Sequence, residues 1–269
     1  MADRRVALVT GASSGIGFAT AALFASRGYR TFGTTRELGA HPAPKGVEMV
    51  KLDVRSDESV HASIDAILAV AGRIDVLINN AGFGLAGAIE ETSLEEARGQ
   101  LETNFWGPVR LIKRVLPLMR ERRSGRIINV SSVLGFMPAP YQGFYVASKH
   151  ALEGYSEVLD MEVRPFGVRV VLIEPSSVRS AFFEHHEEVE VRLNAYKAER
   201  NLVTEALGKR LHNGSDPKVV ARVILKAARA WYPALRYTAG QGSGALQLAH
   251  ALVPTSLFDR TVRMALNMR

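Results

Sequence analysis

The chain reads as an α/β protein built on one doubly wound, mostly parallel sheet with helices on both faces. Three observations lead there. Short apolar runs rich in β-branched residues recur along the chain, and strands that are apolar throughout belong to sheets buried on both faces. Those runs alternate with stretches of helical spacing, the order that right-handed βαβ units produce. A glycine-rich turn joins the first run to the first helical stretch.

Arg5–Thr10 is the first expected strand and Ile16–Arg27 the first helix, stopped by Gly28. Strands follow at Tyr29–Thr34 and Val47–Leu52. Ser56–Ala71 is a helix with Ser56 and Ser59 as candidate caps. Ile74–Ile78 is a fourth strand. Ser93–Met119 is helical with a break near Gly107–Pro108. Arg126–Val130 is the fifth strand, and Phe144–Val163 a helix ended by Pro165 and Gly167. Val168–Ile173 is the sixth strand, Pro217–Ala230 a helix and Leu235–Ala239 the seventh strand. No repeat or linker divides residues 1–269, so one domain is expected. Residues 176–216 are the least regular and most charged region, and they follow the sixth strand. They should lie at the carboxyl edge of the sheet, where ligands bind, and act as a substrate lid. The tail, about 244–269, has helical apolar spacing that suits core docking or a subunit contact.

Composition narrows the function. The 269 residues are 47% hydrophobic and 23% charged, as in an ordinary globular protein. The absence of cysteine excludes disulfides, thiolate metal sites and a cysteine nucleophile. No run approaches the ~18 apolar residues of a membrane span, and Gly11 interrupts the first apolar run too early for a secretory signal. A cytoplasmic protein without integral membrane association is expected. The formal charge of +7 is dispersed, which favours a solvated surface over a nucleic-acid face. The densest basic group is Arg114, Arg120, Arg122, Arg123 and Arg126, near one helix end. Glu184-His185-His186-Glu187-Glu188 makes a poor chelate, because adjacent helical residues point about 100° apart, so no metal is expected.

Thr10-Gly11-Ala12-Ser13-Ser14-Gly15-Ile16-Gly17 has the spacing G-x-x-x-G-x-G. Glycines there let the backbone approach a pyrophosphate, and the helix start offers free N–H groups and a positive dipole end. The second strand ends Thr34-Thr35-Arg36-Glu37. Dinucleotide sites put an acid about 20 residues past the glycines for NAD, or an Arg for the 2′-phosphate of NADP. Arg36 can pair with that phosphate in fork geometry, and Glu37 is its rival. NADP(H) is preferred, with NAD(H) possible.

Tyr145 and Lys149 lie four apart on one helix face. Carbonyl reduction needs a proton donor at oxygen, and a tyrosine can serve if a nearby ammonium lowers its ordinary pKa of about 10. Ser132 can bond the substrate oxygen, and Asn104 can hold a relay water or simply satisfy backbone.

These residues carry a resemblance. Thr10–Gly17, Asp53-Val54, Asn79-Asn80-Ala81-Gly82, Asn104, Ser132, Tyr145-x-x-x-Lys149 and Pro175 together resemble the short-chain dehydrogenase/reductase family, over about residues 4–182. The thirteen-residue step from Ser132 to Tyr145 is that family's usual spacing, and it prefers Ser132 to Ser131. The resemblance implies a Rossmann-type fold with Tyr145 as acid/base and Lys149 on the nicotinamide ribose. It implies that Ser132 orients the substrate oxygen and Asn104 supports the relay. It also implies that Gly11, Ser13, Ser14, Gly15, Ile16 and Gly17 hold the cofactor. Asp53 and Val54 would contact adenine, with Asn80, Ala81 and Gly82 along the cofactor path and Pro175, Val178 and Ser180 near the nicotinamide. A homodimer or homotetramer is implied, through helices at about 94–122 and 144–163.

The family often reads Pro-Gly and then Thr after the sixth strand, whereas this chain has Pro175-Ser176-Ser177-Val178-Arg179-Ser180. Leu134, Phe136, Tyr141, Phe182 and Phe183 suggest a wall for a small hydrophobic carbonyl or alcohol substrate. The expected activity is NADP(H)-dependent hydride transfer with a lipophilic carbonyl or secondary alcohol. Two alternatives stand beside it: a 3-oxoacyl or polyketide ketoreductase, and a catalytically silent NADP-binding regulator.

Overall fold

The computed structural model describes residues 4–179 and 187–268. In chain order the elements are β1 (Val6–Val9), α1 (Gly15–Ser26), β2 (Arg30–Thr35), β3 (Val47–Lys51), α2 (Asp57–Ala71) and β4 (Val76–Asn79). There follow β5 (Leu85–Ala86), α3 (Leu94–Leu101), α4 (Gly107–Glu121), β6 (Gly125–Val130), α5 (Gly143–Val163) and β7 (Val168–Pro175). The remainder is β8 (Glu187–Glu188), α6 (Lys197–His212), α7 (Pro217–Arg229), β9 (Arg236–Ala239), α8 (Ser243–Leu252) and α9 (Thr255–Ala265).

Seven parallel strands form one sheet in the order β3-β2-β1-β4-β6-β7-β9. Alternate side chains of each strand enter opposite layers, because the side-chain period of a strand is two. Val6, Leu8, Leu77, Ile127 and Val170 pack with α2, α4 and α5 through Ile64, Ile67, Leu111, Ile112 and Leu159. Ala7, Val9, Ile78, Ile128 and Val171 pack on the other face with Phe24 of α1 and Ile224 of α7. The doubly wound reading therefore holds, with every strand of this sheet parallel.

Strand order reverses at β1. The chain runs outward through β2 and β3, then returns to place β4 on the other side of β1. A crevice opens at such a reversal, outside the carboxyl ends, and here the glycine turn after β1 faces Asn80 after β4.

The helix expected from Ser93 to Met119 starts with a capping box in which Ser93 and Glu96 bond each other's backbone N–H. Its break is a π-helical turn, Glu102–Trp106, just before the Gly107–Pro108 pair. Pro108 has no N–H for the Asn104 carbonyl, and its ring would crowd that carbonyl in a regular helix. Gly107 N–H donates instead to the Glu102 carbonyl, five residues back.

The expectation of an irregular lid needs correction. Within it, α6 is a 16-residue helix, and β8 pairs in parallel with β5. Lys197, Lys209 and Arg210 along α6 stay in solvent, and such charges are what made the segment read as irregular. Three carboxylates dock it. Glu91 pairs with Arg200 and accepts from Leu193 N–H at 2.7 Å. Glu96 accepts from Glu190 N–H at 2.9 Å, and Glu90 from the Tyr196 hydroxyl at 2.6 Å. The basic group at the end of α4 is also largely used inside the fold. Arg122 donates to the Ile74 carbonyl, Arg123 to that of Pro165 and Arg126 to that of Ala230, while Arg114 pairs with Asp65. Among the described residues, no helix is long and apolar enough to cross a membrane.

Asp160 of α5 is fully buried and ties that helix to β7. It accepts from Val170 N–H at 2.8 Å, Arg169 Nε at 3.0 Å and Arg164 Nε at 2.9 Å. Burial alone would raise its carboxyl, but the bonds from Arg169, Val170 and Arg164 outweigh it and hold it below the usual range. A depressed folded-state pKa stabilises the fold above the unfolded value and stops doing so as pH falls through the folded one. Asp160→Asn should therefore cost about 3 kcal/mol at neutral pH and progressively less below about pH 4, as read by urea midpoints. A loss that does not change with pH would contradict this account.

Candidate active site

The glycine turn is shaped for close approach. Gly11 and Gly15 have φ of +65° and +55°, a region that penalises side chains. Gly17 lies so tightly against the Gly11 carbonyl that a Cβ there would collide with it and with the Asn80 amide. Asn80 braces the turn by donating to the Thr10 and Gly11 carbonyls at 2.9 and 3.2 Å. Thr10 Oγ1 in turn accepts from the N–H groups of Asn80 and Ala81, each at 2.9 Å. Ser14 opens α1 without a side-chain cap bond, so with Ser13, Gly15 and Ile16 it presents helix-start N–H groups to the crevice. This cradle fits a dinucleotide pyrophosphate.

Arg36 is exposed just past the carboxyl end of β2, and its charge acts on Asp53 just past β3. Asp53 is held below the usual carboxylate range chiefly by its bond with Arg55, at 2.8 Å. Val54 is buried, and the start of α4 rests on it at Gly107. Gly82 leaves room for Asn104, whose Oδ1 would lie 2.9 Å from a Cβ at that position.

Asn104, in the π turn, is fully occupied. Its Oδ1 accepts from Phe83 N–H at 3.1 Å, and its Nδ2 donates to the Phe83 carbonyl at 2.9 Å and to Ser148 Oγ at 3.2 Å. In this arrangement it clamps the strand-end loop after β4 to α5.

The turn after β6 carries Ser132, whose Oγ accepts from Leu134 N–H at 3.1 Å. Tyr145 and Lys149 lie on the inner face of α5, both buried. Burial pushes the Tyr145 phenol up to about 12, and a hydrogen bond with Ser132 pulls against that. Burial brings the Lys149 ammonium down to about 8, opposed by the charge of Glu153. Lys149 Nζ donates to the Val130 carbonyl at 2.9 Å and stands 5.7 Å from the centre of the Tyr145 ring. The turn after β6 and the inner face of α5 thus bring a hydroxyl, a phenol and an ammonium together, the last two buried.

Pro175 ends β7, and Val178 is buried in the layer beneath the sheet, paired with Ser215. Tyr141 has φ of +61° and packs edge-on to Tyr196 at 6.4 Å, beside Val203 and Leu266. It therefore meets α6 and the turn before it. Leu134 and Phe136 are half-buried beside Ser132. Ser180, Phe182 and Phe183 lie outside the described residues, as does most of the Glu184–Glu188 segment.

Sequence reasoning missed a second polar group behind Lys149: Glu153 of α5, Glu174 of β7 and Arg236 of β9. Arg236 Nε lies 3.1 Å from Glu153 and 3.4 Å from Glu174. Glu174 follows the apolar run Val170–Ile173, and an acid at the end of such a run was the available signal. Gly17→Ala should weaken NADPH binding by at least about tenfold, measured by fluorescence titration. Unchanged affinity would show that the turn does not hold the cofactor.

The comparisons agree with this geometry. Residues 5–190 match the family model described as short chain dehydrogenase. The chain is 40% identical over 238 residues to a 3-ketodihydrosphingosine reductase of Bacteroides thetaiotaomicron, covering 88% of each. It is 37% identical to the human 17-beta-hydroxysteroid dehydrogenase type 1, over 87% of this chain and 77% of that protein. A short-chain dehydrogenase of Streptomyces avermitilis has a crystal structure that superposes with a TM-score of 0.83 at 35% identity, covering 96% of this chain and 98% of that one. With a sheet whose order reverses at the glycine turn and a Tyr–Lys pair buried beside it, this chain belongs to the short-chain dehydrogenase/reductase family, oxidoreductases of CH–OH and C=O groups.

Proposed function

We propose that the protein is an NADP(H)-dependent oxidoreductase that interconverts a lipophilic ketone and its secondary alcohol. One observation carries the reading: the Tyr145 phenol is buried and bonded to Ser132, with the Lys149 ammonium beside its ring. The glycine turn and the N-terminus of α1 would hold the pyrophosphate. Arg36 would meet the 2′-phosphate, because a guanidinium matches phosphate geometry. Bound NADPH would supply the hydride to the carbonyl carbon.

The chain's own groups manage the proton. Ser132 and Tyr145 Oη both point a hydroxyl at the substrate oxygen. Tyr145 donates its proton as charge develops there, and the Lys149 ammonium stabilises the phenolate left behind. Oxidation runs the same transfers backward, with the phenolate as base. The half-buried apolar side chains of Leu134 and Phe136, and Tyr141 under the lid, suit a lipophilic substrate. The names of the sphingoid-base reductase and the steroid dehydrogenase among its relatives point the same way. Exposed Leu94, Trp106, Val158 and Met161 lie on the α3–α4 and α5 helices and support self-association through that face.

Tyr145→Phe should lower carbonyl reduction by about 10²–10⁴-fold while NADPH binding persists; retained turnover sinks the assignment. Arg36→Ala should weaken NADPH by about tenfold or more and leave NADH nearly unchanged. An equal loss for both cofactors removes its phosphate role. Lys149 loses its charge as pH rises through about 8, which weakens the phenol as an acid, so reduction should decline through that range. A rate that climbs there would contradict the pairing.

A further inference from the structure

We propose that Glu153, held by Arg236, is a positioning residue that keeps Lys149 cationic and so sets the pH at which Tyr145 exchanges its proton. The inference rests on the reading of Tyr145 as acid/base. It concerns a buried polar group outside the Asn104, Ser132, Tyr145 and Lys149 set.

The geometry is specific. Glu153 follows Lys149 by four residues on α5, so the two side chains share one face, one turn apart. Both are buried. Arg236 Nε approaches Glu153 Oε2 at 3.1 Å, and Arg236 Nη2 approaches the more exposed Glu157 at 3.3 Å. Glu174, fully buried on β7, faces the same guanidinium at 3.4 Å and accepts from Gln247 Nε2 of α8 at 3.1 Å. The chain of contacts therefore runs from the tail helix through β7 and β9 to the catalytic face of α5.

Glu153 also touches the other catalytic arm. Gly135, in the turn that carries Ser132, packs so closely that a Cβ there would lie 2.6 Å from Ser131 Oγ and 2.9 Å from Glu153 Cγ. The Glu153 side chain is thus wedged against the serine turn, one helical turn along α5 from Lys149.

The electrostatics give the wedge a task. Lys149 donates to one neutral carbonyl, Val130, and a buried ammonium needs a counter-charge to remain an ammonium. The elements packed on this face of α5 present Ser131 and Ser132 after β6, Asn104 from the π turn, Gln100 from α3, Glu174 from β7 and Arg236 from β9. Of these and the groups on α5 itself, Glu153 is the acid whose charge opposes the desolvation of Lys149. Burial raises the Glu153 carboxyl, and the hydrogen bond with Ser131 and the charge of Arg236 pull it back toward the ionised form. Burial and the neighbouring Glu153 push Glu174 up to about 7, so its hold on the shared guanidinium weakens as pH falls through neutrality.

The sign of the effect follows. Without the Glu153 charge, Lys149 loses its proton at lower pH, Tyr145 loses its stabilising cation, and the phenol ionises at higher pH. The test is the pH profile of kcat/KM for alcohol oxidation, whose acid limb reports formation of the phenolate. Glu153→Gln, nearly isosteric, should move that limb upward by about one pH unit and leave NADP+ affinity within about twofold. Glu153→Asp should undo most of that shift. Glu157→Gln, on the exposed side of Arg236, should leave the limb in place.

An ultraviolet difference titration, with Tyr145→Phe as the blank, reads the same ionisation without any substrate and should move by the same amount. Arg236→Gln, which leaves Glu153 in place but removes its partner, should shift it the same way and serves if Glu153→Gln does not fold. A limb and a titration that stay put in a folded Glu153→Gln protein overturn the proposal, as does an equal loss of rate at every pH. Turnover retained by Tyr145→Phe would instead overturn the acid/base reading itself.

Discussion

Burial of the sheet on both faces constrains everything else in this protein. With α2, α4 and α5 on one face and α1 and α7 on the other, neither face of the central strands can carry an open polar site. Polar chemistry is driven to the carboxyl edge, where the strand order reverses and the loops diverge. The glycine turn, Asn80, Asp53 and Ser132 all sit at that edge because it is where the backbone leaves the apolar layers.

The same burial makes the interior charges consequential. In a dry interior an uncompensated ion is expensive, so each one has a partner chosen by the fold. Asp160 spends its carboxylate on two arginines and one backbone N–H to fasten α5 to β7. Glu91 does so for α6 with Arg200. Lys149 is the exception in kind, since burial brings its ammonium down to about 8 while leaving it beside the phenol. A group poised in that way suits proton chemistry better than structural pairing.

The π turn shows how a local sequence conflict becomes a positioning device. Gly107–Pro108 signals a break, and the chain resolves it by widening one turn upstream. That widening aims Asn104 at Phe83 and Ser148 rather than along the helix surface. The spacing of residues could locate the break but not its form, because the form depends on what the carbonyl freed by Pro108 finds nearby.

The sequence by itself determined the parallel sheet, its helices within a few residues of their ends, the glycine turn and the Tyr145–Lys149 pair. Each of these is written in local periodicity, in turn chemistry or in spacing along one helix, and local physics suffices to read them. Only the tertiary structure decided that residues 197–212 form a helix, which Glu90, Glu91 and Glu96 dock together with the segment leading into it, since those partners lie about a hundred residues away in the chain. It alone brought Arg236 and Glu174 behind Lys149. Charges on three separate elements leave no common period in the sequence, and they become one group only when β7 and β9 pair and α5 packs across them.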